Sequence, residues 1–125
     1  MDFRWDGATC STNGNSTTVG LNHSFVGDLV MTLRSPLGTT ITLANRPGGT
    51  TNGGNNFCQT TLADGAANPI QSITSTQNPY TGTWSPAQAL SGFNGENPNG
   101  TWRLTVADLA AVDTEIGRAS CRERV

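Results

Sequence analysis

A Ser-His-Asp triad is the first chemistry to test, because the chain holds one histidine, His23, and any such triad must use it. Ser24 follows it directly, but neighbours in an extended segment point to opposite faces, so the two do not make a nucleophile-base pair. His23 lies between Leu21 and Phe25 in an alternating run and is expected to be a packed or hydrogen-bonded histidine at the core edge. Ahead of residue 115 the carboxylates are Asp2, Asp6, Asp28, Asp64, Glu96, Asp108 and Asp113; they are scattered, and no pair has a spacing that fixes acid-base geometry. Several stand in Asn/Gly-rich loops, where carboxylates and backbone carbonyls together could coordinate calcium. Asp28, Asp64 and Asp108 are the candidates for such an ion; the alternative is three turn-capping aspartates. No EF-hand spacing and no Cys/His cluster is present.

Trp5, Trp84, Trp102 and Tyr80 could together form an aromatic platform for a polysaccharide or fibrous protein. Trp102 shares its register with Leu104 and Val106 and is expected in the core, which leaves Tyr80 and Trp84 as binding candidates, with burial under their loop as the alternative. The sequons Asn15-Ser16-Thr17, Asn22-His23-Ser24 and Asn99-Gly100-Thr101 are expected from composition alone in so asparagine-rich a chain.

The elements that position these residues read as strands. Leu29, Met31 and Leu33 alternate with Val30, Thr32 and Arg34, the two-residue period of a strand with one face on a core. Ser35-Pro36-Leu37-Gly38 is turn chemistry, and Thr39 to Leu43 alternates again, which predicts a β-hairpin. Val19, Leu21, His23 and Phe25 predict an earlier strand, and Leu104 and Val106 a late one with Trp102. Phe57 to Leu62 and Ile70 to Ile73 are candidates for short strands, and Ala89 to Phe93 for a helical turn or edge strand. Residues 74 to 88 are too broken for one regular strand. Short strands between Gly/Pro/Asn turns, with no amphipathic helix pattern, predict an all-β sandwich or barrel.

Composition narrows the partners. The chain has 125 residues, room for one modest core. It has no lysine, and its formal net charge of -2 argues against nucleic acid or an anionic membrane surface. No apolar run approaches the roughly 18 residues of a membrane span, and Met1 to Asp6 has no signal-peptide core, so any secretion signal is expected upstream. Residues 115 to 125 break the pattern: they concentrate arginine and resemble the translation of a short-read sequencing adapter. They are expected to be a non-native tail, with a genuine basic tail as the alternative. Setting Cys121 aside with that tail leaves Cys10 and Cys58, which suit an oxidising, extracellular setting. They are expected to pair, the alternative being two buried, unpaired thiols.

Three motif blocks stand in order: Gly27-Asp28-Leu29 followed by Ser35-Pro36-Leu37-Gly38-Thr39; then Ala44-Asn45-Arg46-Pro47; then Asn97-Pro98-Asn99-Gly100-Thr101-Trp102 running on to Asp108. Together they resemble the P domain (Homo B domain) that follows the catalytic domain in subtilisin-like proprotein convertases and in many secreted bacterial proteases. The wording Asn94-Gly95-Glu96-Asn97-Pro98-Asn99-Gly100-Thr101-Trp102 is similar to the bacterial branch. The resemblance implies a jelly-roll β-sandwich of about eight strands, like a galactose-binding domain, over residues 16–114, with residues 1–15 an upstream remnant or linker. It also implies a final strand beginning near Val112-Asp113-Thr114, where the adapter-like tail takes over; the domain is therefore expected to lack its C-terminal strand, and the first strand is open to the same loss. A sandwich short of a strand exposes an unpaired edge and an apolar face. The function implied is a non-catalytic accessory domain of a secreted serine endopeptidase, stabilising or regulating a catalytic domain in cis. The alternative is a collagen- or glycan-binding module of another secreted protein. In neither case is the chain expected to be an enzyme on its own.

Overall fold

The computed structural model describes residues 1–13 and 15–109 and the short strand Glu123–Arg124. Asp113 and Cys121, and the place where a final strand was expected, lie outside the described residues. The strands are β1 (Phe3–Trp5), β2 (Leu29–Arg34), β3 (Thr40–Asn45), β4 (Thr60–Leu62), β5 (Gly82–Trp84), β6 (Arg103–Asp108) and β7 (Glu123–Arg124). They form two sheets, ordered β5-β4-β1-β7 and β3-β2-β6. The architecture is all-β, and helical turns among the described residues are short 3-10 turns.

β2 is the centre of the second sheet, antiparallel to β3 on one side and to β6 on the other. Its alternation decides which face is buried: Leu29, Met31 and Leu33 are wholly inaccessible. The β2–β3 connection is closed by Gly38 N–H donating to Ser35 O at 3.0 Å and Ser35 N–H to Thr39 O at 2.9 Å. Gly38 has φ +107, a conformation that a side chain resists. Between Met31 and Thr32 the register shifts, so Leu43 is the extra residue on β3. That bulge lets Leu43 and Ala44, although adjacent, both be buried.

One core joins the two sheets, with Phe3, Trp5 and Leu62 from one and Leu29, Met31, Leu33, Ile41 and Leu43 from the other. Aromatic rings run through it: Phe3 meets Trp5 edge-on at 4.8 Å, Trp5 stacks on Phe57 at 4.9 Å, and Phe57 lies 5.5 Å from Tyr80.

Three local expectations are corrected. Residues 19–25 do not form a regular strand; Val19 and Leu21 make only single bridges, to Gly7 and Phe57. Residues 19–23 are all buried, so the segment is covered on both sides, and Asn56 Oδ1 rather than a strand carbonyl takes the His23 N–H at 3.0 Å. Ile70–Ser72 is a 3-10 turn, not a strand. A strand would point Ile70 and Ile73 to opposite faces, whereas the three-residue period of the turn aligns them, and both are buried. The apolar residues of β6, Leu104 and Val106, are half-buried like Trp102 and pack against the core rather than within it.

Candidate functional site

The motif residues converge at two junctions, one at each end of the β2 sheet. At the first, Gly27-Asp28-Leu29 meets the turn after β3. Gly27 N–H donates to Asn52 O at 3.0 Å, and Arg46 N–H to Leu29 O at 2.7 Å. A side chain on Gly27 would run into the backbone carbonyls of Gly49 and Asn52, which is why glycine stands there. Arg46 takes a left-handed φ of +47, folding its guanidinium back so that Nε donates to Gly27 O at 3.2 Å and a terminal nitrogen lies 3.9 Å from Asp28 Oδ1. Asn52 Nδ2 donates to Pro47 O at 3.1 Å, fixing the turn from below.

At the second junction the hairpin turn is clamped by Glu96. The Ser35 hydroxyl donates to Oε1 and the Thr39 hydroxyl to Oε2, each at 2.6 Å. These two bonds hold the pKa of the Glu96 carboxyl below its ordinary value. Gly100, at φ +133, passes so close to Pro36 that a Cβ there would lie 2.7 Å from the proline Cβ. Trp102 Nε1 donates to Pro98 O at 2.9 Å, and its ring packs edge-on against Phe93 at 5.1 Å. Ser35 and Thr39 thus meet Glu96, and Pro36 meets Gly100, across one seam. Every one of these contacts holds backbone or turn geometry, and none presents a reactive group.

His23 is buried, with Nε2 at 2.6 Å from Asp108 Oδ2, and Phe25 N–H donates to its Nδ1 at 3.0 Å. Because Nδ1 accepts, Nε2 carries the proton and donates to the carboxylate. Both ring nitrogens are engaged, so neither is available as a general base for a serine. The three calcium candidates serve separate partners: Asp28 faces Arg46, Asp108 holds His23, and Asp64 accepts from Leu90 N–H at 2.7 Å and Ser91 N–H at 2.9 Å. Among the described residues no group of three or more His, Cys, Asp or Glu side chains is placed to hold a metal ion.

Cys10 and Cys58 form a disulfide with Cα atoms 5.5 Å apart. Tyr80 is wholly buried, its hydroxyl 3.1 Å from Thr74 O and 3.3 Å from Asn52 Oδ1, which corrects its reading as a surface contact for a ligand. Burial pushes its pKa up, partly opposed by the Asn52 bond. Trp84 is half-buried in β5, with no described partner for its buried indole N–H. Sequence reasoning missed the roles of Glu96, Asn52 and Asn56. Glu96 carried one signal, being the lone glutamate ahead of the tail, directly before the third block. Asn56 carried none within its uniform Gly/Asn loop, yet its side chain ties Ser11 O, Asn13 O and His23 N–H together.

Fold and site define a two-sheet β domain whose shared motifs build structure rather than an active centre. A comparison with family models adds the name: the proprotein convertase P-domain model matches residues 15–118, and the chain belongs to that family. No curated protein and no solved structure gave a match. Among the described residues no helix is long and apolar enough to cross a membrane.

Proposed function

We propose that this chain is a non-catalytic accessory domain of a secreted subtilisin-like serine endopeptidase, docking in cis on the catalytic domain and stabilising it. Membership of the P-domain family over residues 15–118 carries the reading. The engagement of His23 by Asp108 and Phe25 supports a domain without its own triad. The Cys10–Cys58 disulfide suits a protein that leaves the cytosol. Association with the folded catalytic domain, and not with its unfolded chain, shifts the folding equilibrium of the protease toward the native state.

The test is expression of the protease from the same gene with and without residues 15–118. Loss of the domain is expected to lower the yield of folded enzyme and its Tm, while turnover per titrated active site stays the same. Equal yield and Tm in the two proteins would refute the reading. The rival, an aromatic platform for collagen or glycan, loses one of its two candidate contacts because Tyr80 lies in the core.

A further inference from the structure

Four arginines stand between residues 1 and 109, and two have protein acceptors. Arg4 bonds Asp6 and Thr61, and Arg46 bonds Gly27 O beside Asp28. The other two, Arg34 and Arg103, sit directly opposite each other in the β2–β6 ladder, both exposed. Neither guanidinium has a hydrogen bond or ion pair to any described residue. Like charges directly opposite in a ladder are destabilising, so an unaccompanied pair is a cost that folding alone does not explain. The two line an open cleft of about 140 Å³ with Ser35, Pro36 and Thr101.

We propose that this cleft is a receptor for the carboxylate of an acidic side chain, Asp or Glu, on a protein partner. Two guanidinium forks match the two oxygens of a carboxylate. The cleft is smaller than the roughly 300 Å³ from which small-molecule pockets begin, so it takes a side-chain-sized group. Phosphate offers three oxygens, and of the two hydroxyls that line the cleft, those of Ser35 and Thr101, the first already donates to Glu96. An extended polyanion is disfavoured by the negative charge of the chain as a whole, formally -2. Glu96 stands close by but does not neutralise the pair: its oxygens are held by Ser35 and Thr39, and it lies within ion-pair distance of neither arginine.

The experiment follows the arginine Nε–H resonances of the labelled 125-residue chain while acetyl-Asp-Glu-Asp-amide is added. The neutral acetyl-Asn-Gln-Asn-amide and inorganic phosphate serve as comparisons. The Arg34 and Arg103 signals are expected to move saturably with the acidic peptide and not with the neutral one. R34Q or R103Q is expected to weaken binding about tenfold, the loss of one charge-assisted pair. Absence of saturation, or equal shifts with the neutral peptide, overturns the proposal; tighter binding of phosphate overturns the ligand class. A second readout needs no ligand: at low ionic strength R103Q is expected to raise the Tm of the free chain by relieving the repulsion. A fall in Tm would mean that the pair is an internal structural contact, and would overturn the proposal as well.

Discussion

Breaking the Cys10–Cys58 bond is the perturbation whose size follows most directly from the structure. The bridge spans 48 residues of sequence, a loop that holds the whole β2–β3 hairpin. For a loop of that length the chain-entropy relation gives about 14 cal/mol/K, or about 4 kcal/mol at 25 °C. In a chain of this size, where 1 kcal/mol moves the midpoint by about 3–5 °C, the Tm should fall by about 12–20 °C. The assay is urea unfolding followed by circular dichroism, on the wild type, C10S, C58A and the double variant. Each single change removes the same cross-link, so all three variants should lose equal stability within about 0.5 kcal/mol. Cys58 is buried, and its sulfur fills the space that a side chain on Gly7 would need. A C58A loss well beyond that of C10S would therefore mean that sulfur packing, not chain constraint, dominates. Additive losses in the double variant, or a total below about 1 kcal/mol, would refute the entropic argument.

The other predictions concern the two junctions and the core. Gly27→Ala forces a methyl group against the Gly49 and Asn52 carbonyls and should destabilise by about 1–3 kcal/mol in the same urea assay; an unchanged midpoint would refute the close approach. Glu96→Gln should lower the Tm at pH 7 and flatten its acid limb. The wild-type Glu96 carboxyl is depressed in the fold, so its contribution is present above the ordinary carboxylate value of 4.5 and lost as pH falls through the lower folded value. Identical acid limbs in wild type and E96Q would rule out the clamp. Burial raises the pKa of Tyr80 in the fold, so its contribution is whole below pH 10.0 and lost as pH climbs through the higher folded value. Tyr80→Phe should remove that alkaline loss, read as Tm against pH between 9 and 12.

The β2 hairpin was legible because alternation and turn chemistry agree over the same residues: Leu29, Met31 and Leu33 point inward, and Pro36 and Gly38 close the turn. The other sheet was not, since strands of three residues such as β1, β4 and β5 are too short to show a period. Val19 to Phe25 alternates well, yet side-chain bonds from Asn56 compete with the ladder that the alternation suggests. At the site, motif spacing pointed to Ser35, Pro36, Gly38, Thr39, Gly100 and Trp102, but each block reads as a local turn. Their partner Glu96 lies 61 residues from Ser35 and 57 from Thr39, and no local rule carries information over that distance. The His23–Asp108 pair, separated by 85 residues, was hidden for the same reason.

The central position of β2 has a consequence for the order in which the fold assembles. Its pairing with β3 needs only a tight turn, but its pairing with β6 joins Arg34 to Arg103 across most of the chain. Hairpins of the first kind close within about 1–10 µs, whereas topologies dominated by distant pairing fold in about milliseconds to seconds. Between those times β2 carries a finished edge on one side and an open one on the other. During synthesis the interval is longer still, because β6 leaves the ribosome last of the three, at about 5–20 residues per second. Arg34 and Arg103 mark the end of that late-closing ladder, the last step at which β2 is joined on both sides.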